Sequence, residues 1–300
     1  MTRPRQVLPG TTYLLTRRCT QRRFLLRPSK HINEVFEYCL AYAAQRFGVQ
    51  VHGYCVLSNH WHIVLTDVHG NLPEFAGWVH KYVAKALNQS LGRWENFWSN
   101  AGYSAVRLVE ADDVLSKLVY TLSNPVAAGL VHRSRYWPGL INRPDDYQKG
   151  KRCVRRPPGY FRAKGPLPDE VYLEMLVPPQ FDGFDAKQFG SLLGQSLAAR
   201  EQELNRRHKN EGRAYMGAKR VRKQRPLDSP RTRQRKGRVN PRVAARDKWK
   251  RIEALQRLKN FVNSYKEAFA RWKQGEKEVF FPAGTYWLCR YAGVKAHAPP

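Results

Sequence analysis

The stretch that most constrains the fold of this chain runs from Cys55 to Leu65 and reads CVLSNHWHIVL. An apolar run of this kind predicts a buried strand, in which successive side chains alternate between the two faces. His60 and His62 therefore point to one side and Trp61 to the other. Two neutral imidazoles held together by a strand suit a divalent metal ion. The pattern alone also fits a pair of half-exposed histidines that bind nothing, so the rest of the chain must decide.

The charge balance favours a polyanionic partner. Fifty-three Lys and Arg face twenty-four Asp and Glu, which gives a net charge of +29 and an isoelectric point near 10.3. Nucleic acid fits this excess best. A basic protein of membrane surfaces is the competing class, but no stretch has the length of a transmembrane helix and the start, MTRPRQVLPG, lacks the apolar core of a signal peptide. We therefore expect no membrane association and a cytoplasmic, nucleoid-associated location.

The cysteines indicate no chemistry of their own. There are five of them, an odd number, they are far apart, and they form no CxxC motif. Such spacing is typical neither of a zinc site nor of a redox pair. We expect reduced, ordinary cysteines.

Hydrophobic periodicity predicts strands and helices in alternation along the first half of the chain. The β-branched and aromatic run TTYLLT predicts a first strand, and the tight connection before His60 predicts an antiparallel hairpin. Helical spacing recurs twice around this hairpin. The predicted order is strand 11–16, helix 31–47, strand 49–57, the histidine strand, a helix that begins at residue 72 and stops near Gly92, and strand 103–109. This order predicts an α+β fold, an antiparallel sheet with helices packed on it.

A further predicted helix carries a tyrosine off its apolar face. The apolar stripe of this helix consists of Val114, Leu115, Leu118, Val119 and Leu122. At about 100° per residue, Tyr120 lies opposite the stripe, and Lys117 and Asn124 share its polar face. Tyr120 is thus a candidate reagent, or simply a surface tyrosine. Asn124 has a second interpretation too, because a residue before proline (Pro125) is biased away from helical geometry and could cap a new helix.

Two motifs in this order resemble those of a known family. The strand motif NHWHIVL, the later helix motif YTLSNPVAAGLV and the segment RWENFWSNAGYSAVRL between them look like the REP-associated tyrosine transposases, a branch of the single-tyrosine HUH transposases. The resemblance covers about residues 11–131 and implies a ferredoxin-like catalytic domain. It implies that His60, His62 and Asn124 bind Mg²⁺ or Mn²⁺ and that Tyr120 is the nucleophile. Ser58 departs from the family, which commonly has proline there.

The resemblance implies metal-dependent nicking of single-stranded DNA and strand transfer through a 5′-phosphotyrosine, on hairpin (REP-like) DNA, by a monomer or a homodimer. Lys117 could support the nucleophile. A catalytically silent binder of structured single-stranded DNA or RNA is the alternative, and a metal hydrolase is disfavoured by the lack of acidic ligands.

Cationic and aromatic residues are the candidates for DNA contact. They are Arg17, Arg18, Arg22, Arg23, Lys81, Lys85, Arg93, Trp94 and Trp98.

The second half of the chain differs in composition. We expect a catalytic domain over residues 1–148, a linker or arm over 149–184, rich in basic residues, Pro and Gly, and a basic, mainly helical region over 185–300. Helical spacing recurs at 185–205 and again from Trp249 to Trp272. Between Arg206 and Arg251, nineteen basic residues face three acidic ones. That imbalance predicts a flexible segment over 206–246 that binds nucleic acid or serves as a charged spacer.

Overall fold

A sheet of five strands lies at the centre of the computed structural model, which describes residues 4–162, 164–232 and 241–299. Its strands, in chain order, are β1 (Thr11–Arg18), β2 (Val49–Val56), β3 (His60–Asp67), β4 (Ser104–Leu108) and a short strand from the distant C-terminal region, Val243–Ala244. The spatial order is β2-β3-β1-β4, with the short strand outermost beside β4. Neighbours among β1 to β4 are all antiparallel.

Three helices cover this sheet from both sides. They are α1 (Lys30–Phe47), α2 (Leu72–Ser90) and α3 (Ala111–Ala127). The succession β1-α1-β2-β3-α2-β4 with this strand order is the ferredoxin-like arrangement, and the α+β prediction is confirmed. The helix and strand boundaries expected from periodicity lie within a few residues of the observed ones.

Alternation along β3 places its side chains as the sequence predicts. Trp61 is fully buried, with its ring centroid 5.0 Å from that of Phe36 on α1. On the opposite face, α3 approaches β2 closely at Gly53. A Cβ at Gly53 would lie only 2.5 Å from Leu118 Cδ2 of α3, so the absence of a side chain there permits the approach. The two histidines of β3 therefore face α3.

The segment 149–184, expected to be a linker or arm, belongs to the main core. It contains an antiparallel hairpin, β5 (Arg152–Arg155) and β6 (Glu170–Leu173), whose inward residues Val171 and Leu173 are buried in the central cluster. The apolar face of this hairpin comes from side chains that alternate along two short strands. The basic, proline-rich composition of the segment led to the prediction of a linker instead.

A chain of side-chain hydrogen bonds ties the end of this segment to the sheet. Gln180 Nε2 donates to Thr12 Oγ1 (2.9 Å), Thr12 lies 2.7 Å from Thr66 Oγ1, and Thr66 Oγ1 lies 2.8 Å from His52 Nε2. His52 Nδ1 lies 2.7 Å from the carbonyl oxygen of Leu176. Since that carbonyl can only accept, Nδ1 carries the proton and Nε2 accepts from the threonine. Burial lowers the pKa of His52 to about 4, so this histidine is neutral in the core.

The remaining elements come from the basic C-terminal region. They are α4 (Ala186–Asn210), α5 (Ala218–Arg222), β7 (Val243–Ala244), α6 (Lys248–Lys273), β8 (Phe280–Phe281), α7 (Trp287–Ala292) and β9 (Lys295–Ala296). Helix α4 packs on α3, and Phe189 and Leu193 of α4 are buried in the main cluster. Parallel pairing of β7 with β4 adds the fifth strand. The C-terminal region is thus mainly helical, as expected, and part of it completes the five-stranded sheet.

The expected flexible segment 206–246 is divided by the structure. Its first part continues α4 to Asn210 and then forms α5, while residues 233–240 lie outside the described residues. In the described parts of the chain, no helix combines the length and apolar character needed to cross a membrane.

Candidate active site

The two histidines lie at the start of β3 with their rings close together. Their centroids are 4.9 Å apart, at an interplanar angle of 86°. In the β1–β3 register Thr16 pairs with His62 and Arg18 with His60, so these side chains share one face of the sheet. A cluster of nitrogen and oxygen donors results at one end of the sheet.

Asn59 fixes the protonation pattern of His60. Asn59 Nδ2 donates to the carbonyl oxygen of Arg22 (3.1 Å), which leaves its Oδ1 to accept from His60 Nδ1 (2.7 Å). The proton of the neutral imidazole therefore resides on Nδ1, and Nε2 carries a free lone pair. Burial lowers the pKa of His60 to about 4, and the positive charges of Arg18 and Arg22 add to the effect. His60 is neutral at physiological pH, the form that a metal ligand requires.

His62 is held from both sides. Its Nδ1 lies 2.7 Å from Thr16 Oγ1 and its Nε2 lies 3.2 Å from Asn124 Nδ2. Burial holds the pKa of His62 well below the usual histidine value, and proximity to His60 contributes further. Both imidazoles are thus neutral and oriented by neighbouring side chains.

Asn124 belongs to the site and does not cap a helix. Helix α3 runs unbroken from Ala111 to Ala127 with Pro125 inside it, so no new helix begins there. The side chain of Asn124 is buried and its carboxamide faces His62.

Tyr120 lies one turn before Asn124 on the same face of α3. Its ring centroid is 5.3 Å from that of His62, and 45% of the residue is exposed to solvent. Lys117 Nζ is 5.9 Å from the centre of the Tyr120 ring. An accessible phenol therefore borders the histidine pair, and the ammonium group of Lys117 lies near its ring.

The donor set decides which metal ion the site could hold. It offers two imidazole nitrogens and the carboxamide of Asn124, a combination that suits Mn²⁺ and accepts Mg²⁺ less readily. Among the residues that the structure describes, no group of three or more His, Cys, Asp or Glu side chains could hold a metal ion. These residues would hold a divalent cation through neutral donors, and among the described residues no carboxylate would assist them.

Most of the candidate DNA contacts are at least partly exposed. These residues are Arg17, Arg18, Arg22, Arg23, Lys81, Lys85, Arg93 and Trp94. Trp94 is 92% exposed, which leaves its ring free to stack. The side chain of Arg93 is only 10% exposed and pairs with Glu95, so Arg93 is less available for a phosphate.

Trp98 differs from the expectation. It is 7% exposed, and its Nε1 donates to the carbonyl oxygen of His80 (2.8 Å). His80, on α2, is itself buried between Trp61 and Trp98. The indole of Trp98 is part of the core and has no ring face to offer a base.

Sequence reasoning missed the two residues that orient the histidines, Asn59 and Thr16. Asn59 directly precedes His60 in the hairpin turn, and this adjacency is the signal that could have identified it. Thr16 comes from another strand, and only the β1–β3 register brings it to His62.

Comparison with known proteins gives structural likenesses alone. No protein-family model and no curated protein matches the chain. Over 48% of its length the chain is similar to the solved structure of a REP-associated tyrosine transposase bound to a REP hairpin, with 18% identity, 84% of that chain covered and a TM-score of 0.41. Over 39% it is similar to a candidate transposase from Deinococcus radiodurans R1, with 16% identity, 93% of that chain covered and a TM-score of 0.29. At these identities the likeness concerns the fold only.

Proposed function

We propose that this protein cleaves and rejoins single-stranded DNA as a single-tyrosine HUH transposase, with Tyr120 as the nucleophile. One observation carries the proposal. The exposed phenol of Tyr120 borders a pair of neutral histidines whose rings are oriented by Asn59, Thr16 and Asn124. A surface tyrosine without a function would need no such neighbours.

The proposed step is a transesterification. The phenol oxygen of Tyr120 attacks the scissile phosphorus, a P–O bond to the tyrosine forms, and the bond to the 3′ oxygen breaks. The phenol proton leaves as the attack proceeds, and the departing oxygen takes up a proton to become a 3′-hydroxyl. The step replaces the phosphate ester of the 3′ oxygen by the phosphate ester of Tyr120. Because the number of ester bonds is unchanged, a second 3′-hydroxyl can attack the 5′-phosphotyrosine and rejoin the DNA without an external energy source.

Each side chain of the site has a distinct task in this step. His60, His62 and Asn124 would hold Mg²⁺ or Mn²⁺, which when bound neutralises charge on the non-bridging phosphate oxygens. Tyr120 supplies the nucleophile from a rigid helix face. Lys117, whose Nζ lies 5.9 Å from the centre of the Tyr120 ring, would support the nucleophile by placing a positive charge beside it.

A covalent adduct tests this proposal. Full-length protein is incubated with 5′-labelled and 3′-labelled single-stranded hairpin DNA from its own genomic neighbourhood and with Mg²⁺ or Mn²⁺, then resolved under denaturing conditions. Wild type should retain the label of the fragment that carries the new 5′ end, and Tyr120→Phe should lose the adduct. Tyr172 provides the matched control, because it is also 45% exposed, and Tyr172→Phe should react as wild type. An adduct that survives in Tyr120→Phe would refute the assignment, and cleavage by His60→Ala would refute the metal site.

A second candidate, a catalytically silent binder of structured single-stranded DNA or RNA, is favoured by one observation. The donor cluster contains no carboxylate, and carboxylates are the usual ligands of Mg²⁺. Binding of the hairpin without any adduct, in the presence of either metal, would select this candidate over the transposase.

A further inference from the structure

A basic segment of the C-terminal region is fixed beside the candidate active site. We call residues 217–232, which include α5, the basic strap. Val221 of the strap is completely buried in a small cluster with Leu57 of the histidine hairpin. Ser58 Oγ donates to Gln224 Oε1 (2.6 Å), so the strap also holds the turn that precedes His60. The strap is therefore docked on the hairpin that carries the histidines.

Further hydrogen bonds fix the strap along the loop that follows β1. Phe24 N donates to the carbonyl oxygen of Asp228 (2.9 Å), and Ser229 Oγ donates to that of Gln21 (3.0 Å). The guanidinium of Arg22 donates to Thr232 O (2.6 Å) and Oγ1 (2.9 Å). The carbonyl of the same Arg22 accepts from Asn59, the residue that orients His60. One loop thus contacts both the strap and the histidine support.

The charged side chains of the strap take no part in this docking. The strap has six Lys and Arg and one acidic residue, Asp228. All six cations are exposed, and none of them forms an ion pair with any residue that the structure describes. They are Lys219, Arg220, Arg222, Lys223, Arg225 and Arg231.

This contrasts with other basic stretches of the C-terminal region. On α4, Arg200 pairs with Glu203, and on α6 Arg257 pairs with Glu253. Unneutralised cations held close together repel one another, and a row of phosphates relieves the repulsion. Backbone atoms, the buried side chain of Val221 and uncharged polar side chains hold the strap, while its cations remain available for an anionic ligand.

We infer that the basic strap binds the phosphate backbone of the single-stranded DNA whose scissile phosphate reaches Tyr120, and so guides the strand into the site. This inference rests on the proposed function for the identity of the ligand. It adds a DNA-binding surface from the C-terminal region, outside the part of the chain that carries the tyrosine and histidine motifs. The hydrogen bond from Ser58 to Gln224 fixes the position of this surface relative to the histidines.

The salt dependence of binding tests the inference separately from catalysis. Fluorescence anisotropy of a labelled single strand of about 20 nucleotides, in EDTA so that no cleavage occurs, gives the affinity between about 50 and 200 mM salt. The strap variant carries Arg220→Gln, Arg222→Gln, Lys223→Gln and Arg225→Gln, which leave Val221 and Gln224 in place. Each lost phosphate contact lowers the slope of log K against log salt by about 0.7, so the variant should lose up to about 3 in slope and more than about tenfold in affinity at the lower salt.

A control variant removes the same charge from elsewhere. Lys187→Gln, Lys266→Gln, Lys273→Gln and Lys277→Gln neutralise four exposed lysines on α4 and around the end of α6. This variant should change the slope by less than about 1. Equal losses in the two variants would show a general charge effect and overturn the inference, as would an unchanged slope in the strap variant. A strap-dependent slope without any covalent adduct would refute the proposed chemistry alone, whereas an adduct with no strap dependence would refute this inference alone.

Discussion

The tautomer of His60 gives the sharpest prediction, because a single side chain controls it. Asn59 accepts from His60 Nδ1 at 2.7 Å while its amide nitrogen is engaged by Arg22 O. Replacement by leucine, Asn59→Leu, keeps the approximate size and removes the acceptor. His60 then has a half-buried N–H without its protein partner, or moves its proton to Nε2, where it blocks the lone pair that a metal ion needs.

The magnitude follows from the lost hydrogen bond. Leaving a buried donor unsatisfied costs about 1–3 kcal/mol. That cost corresponds to roughly fivefold to 150-fold in an equilibrium constant. Loss of a partner that orients a metal-bound histidine typically lowers metal affinity by about tenfold to hundredfold. We expect Asn59→Leu to weaken Mn²⁺ binding within that range.

Two measurements check the expectation. Titration of the full-length protein with Mn²⁺, followed by the electron paramagnetic resonance of the free ion, gives the affinity. Long-range proton–nitrogen correlation of protein labelled with ¹⁵N-histidine shows which ring nitrogen of His60 is protonated, with no metal present. Asn59→Asp is the matched control, because a carboxylate still accepts from Nδ1 and should preserve the tautomer. If Asn59→Leu bound Mn²⁺ as wild type and kept its proton on Nδ1, the proposed role of Asn59 would be refuted.

Two further predictions concern stability. Burial lowers the pKa of His52 to about 4. As the pH is lowered from 6.5 to about 4, this residue takes up a proton in the unfolded chain before it does so in the folded protein. The free energy of unfolding should therefore decrease as the pH is lowered, by up to roughly 3 kcal/mol from this residue. Urea unfolding should show a shallower pH dependence for His52→Gln, and parallel profiles would contradict the prediction. On α4, a Cβ at Gly190 would lie 2.6 Å from Pro144 O, whereas the nearest atom to a Cβ at Gly194 is 3.7 Å away. Gly190→Ala should therefore destabilise by about 1–3 kcal/mol and Gly194→Ala should stabilise by up to about 1 kcal/mol, and equal urea midpoints for the two variants would be inconsistent with the structure.

Local sequence patterns were sufficient to predict most of the ferredoxin-like fold. Alternation along β3 predicts that Trp61 and the histidines face opposite sides, and helical spacing predicts that Tyr120 leaves the apolar stripe of α3. Both predictions depend only on the geometry of a single element. The structure has both, since Trp61 is buried beside α1 while Tyr120 is exposed beside His62.

Features that depend on partners far along the chain were not predictable. From the sequence alone, Trp98 could be a surface residue or a core residue. Its position in the core follows from contacts such as the hydrogen bond from its indole N–H to the carbonyl oxygen of His80. Strand β7 has only two residues, too few for any periodic signal, and it exists because the edge of β4 supplies its hydrogen bonds. The docking of the basic strap could not be predicted from its own sequence either. Its high charge predicts an unfolded segment, and Val221 is buried only by residues far away in the chain.

Asn124 shows how a tertiary contact decides between two local interpretations. The bias before proline favours the end of a helix at this residue, yet α3 continues through Pro125 to Ala127. Proline removes one backbone donor, whose partner in a regular helix would be the carbonyl of Thr121, and the helix ends only two residues later, so little regular structure is lost beyond it. In return, the continuous helix carries the carboxamide of Asn124 to 3.2 Å from His62 Nε2, on the same face as Tyr120. If the helix ended before Asn124, the carboxamide of Asn124 would no longer lie on the same helix face as Tyr120. The continuous helix therefore places Tyr120 and Asn124 together beside the histidines, in one candidate site.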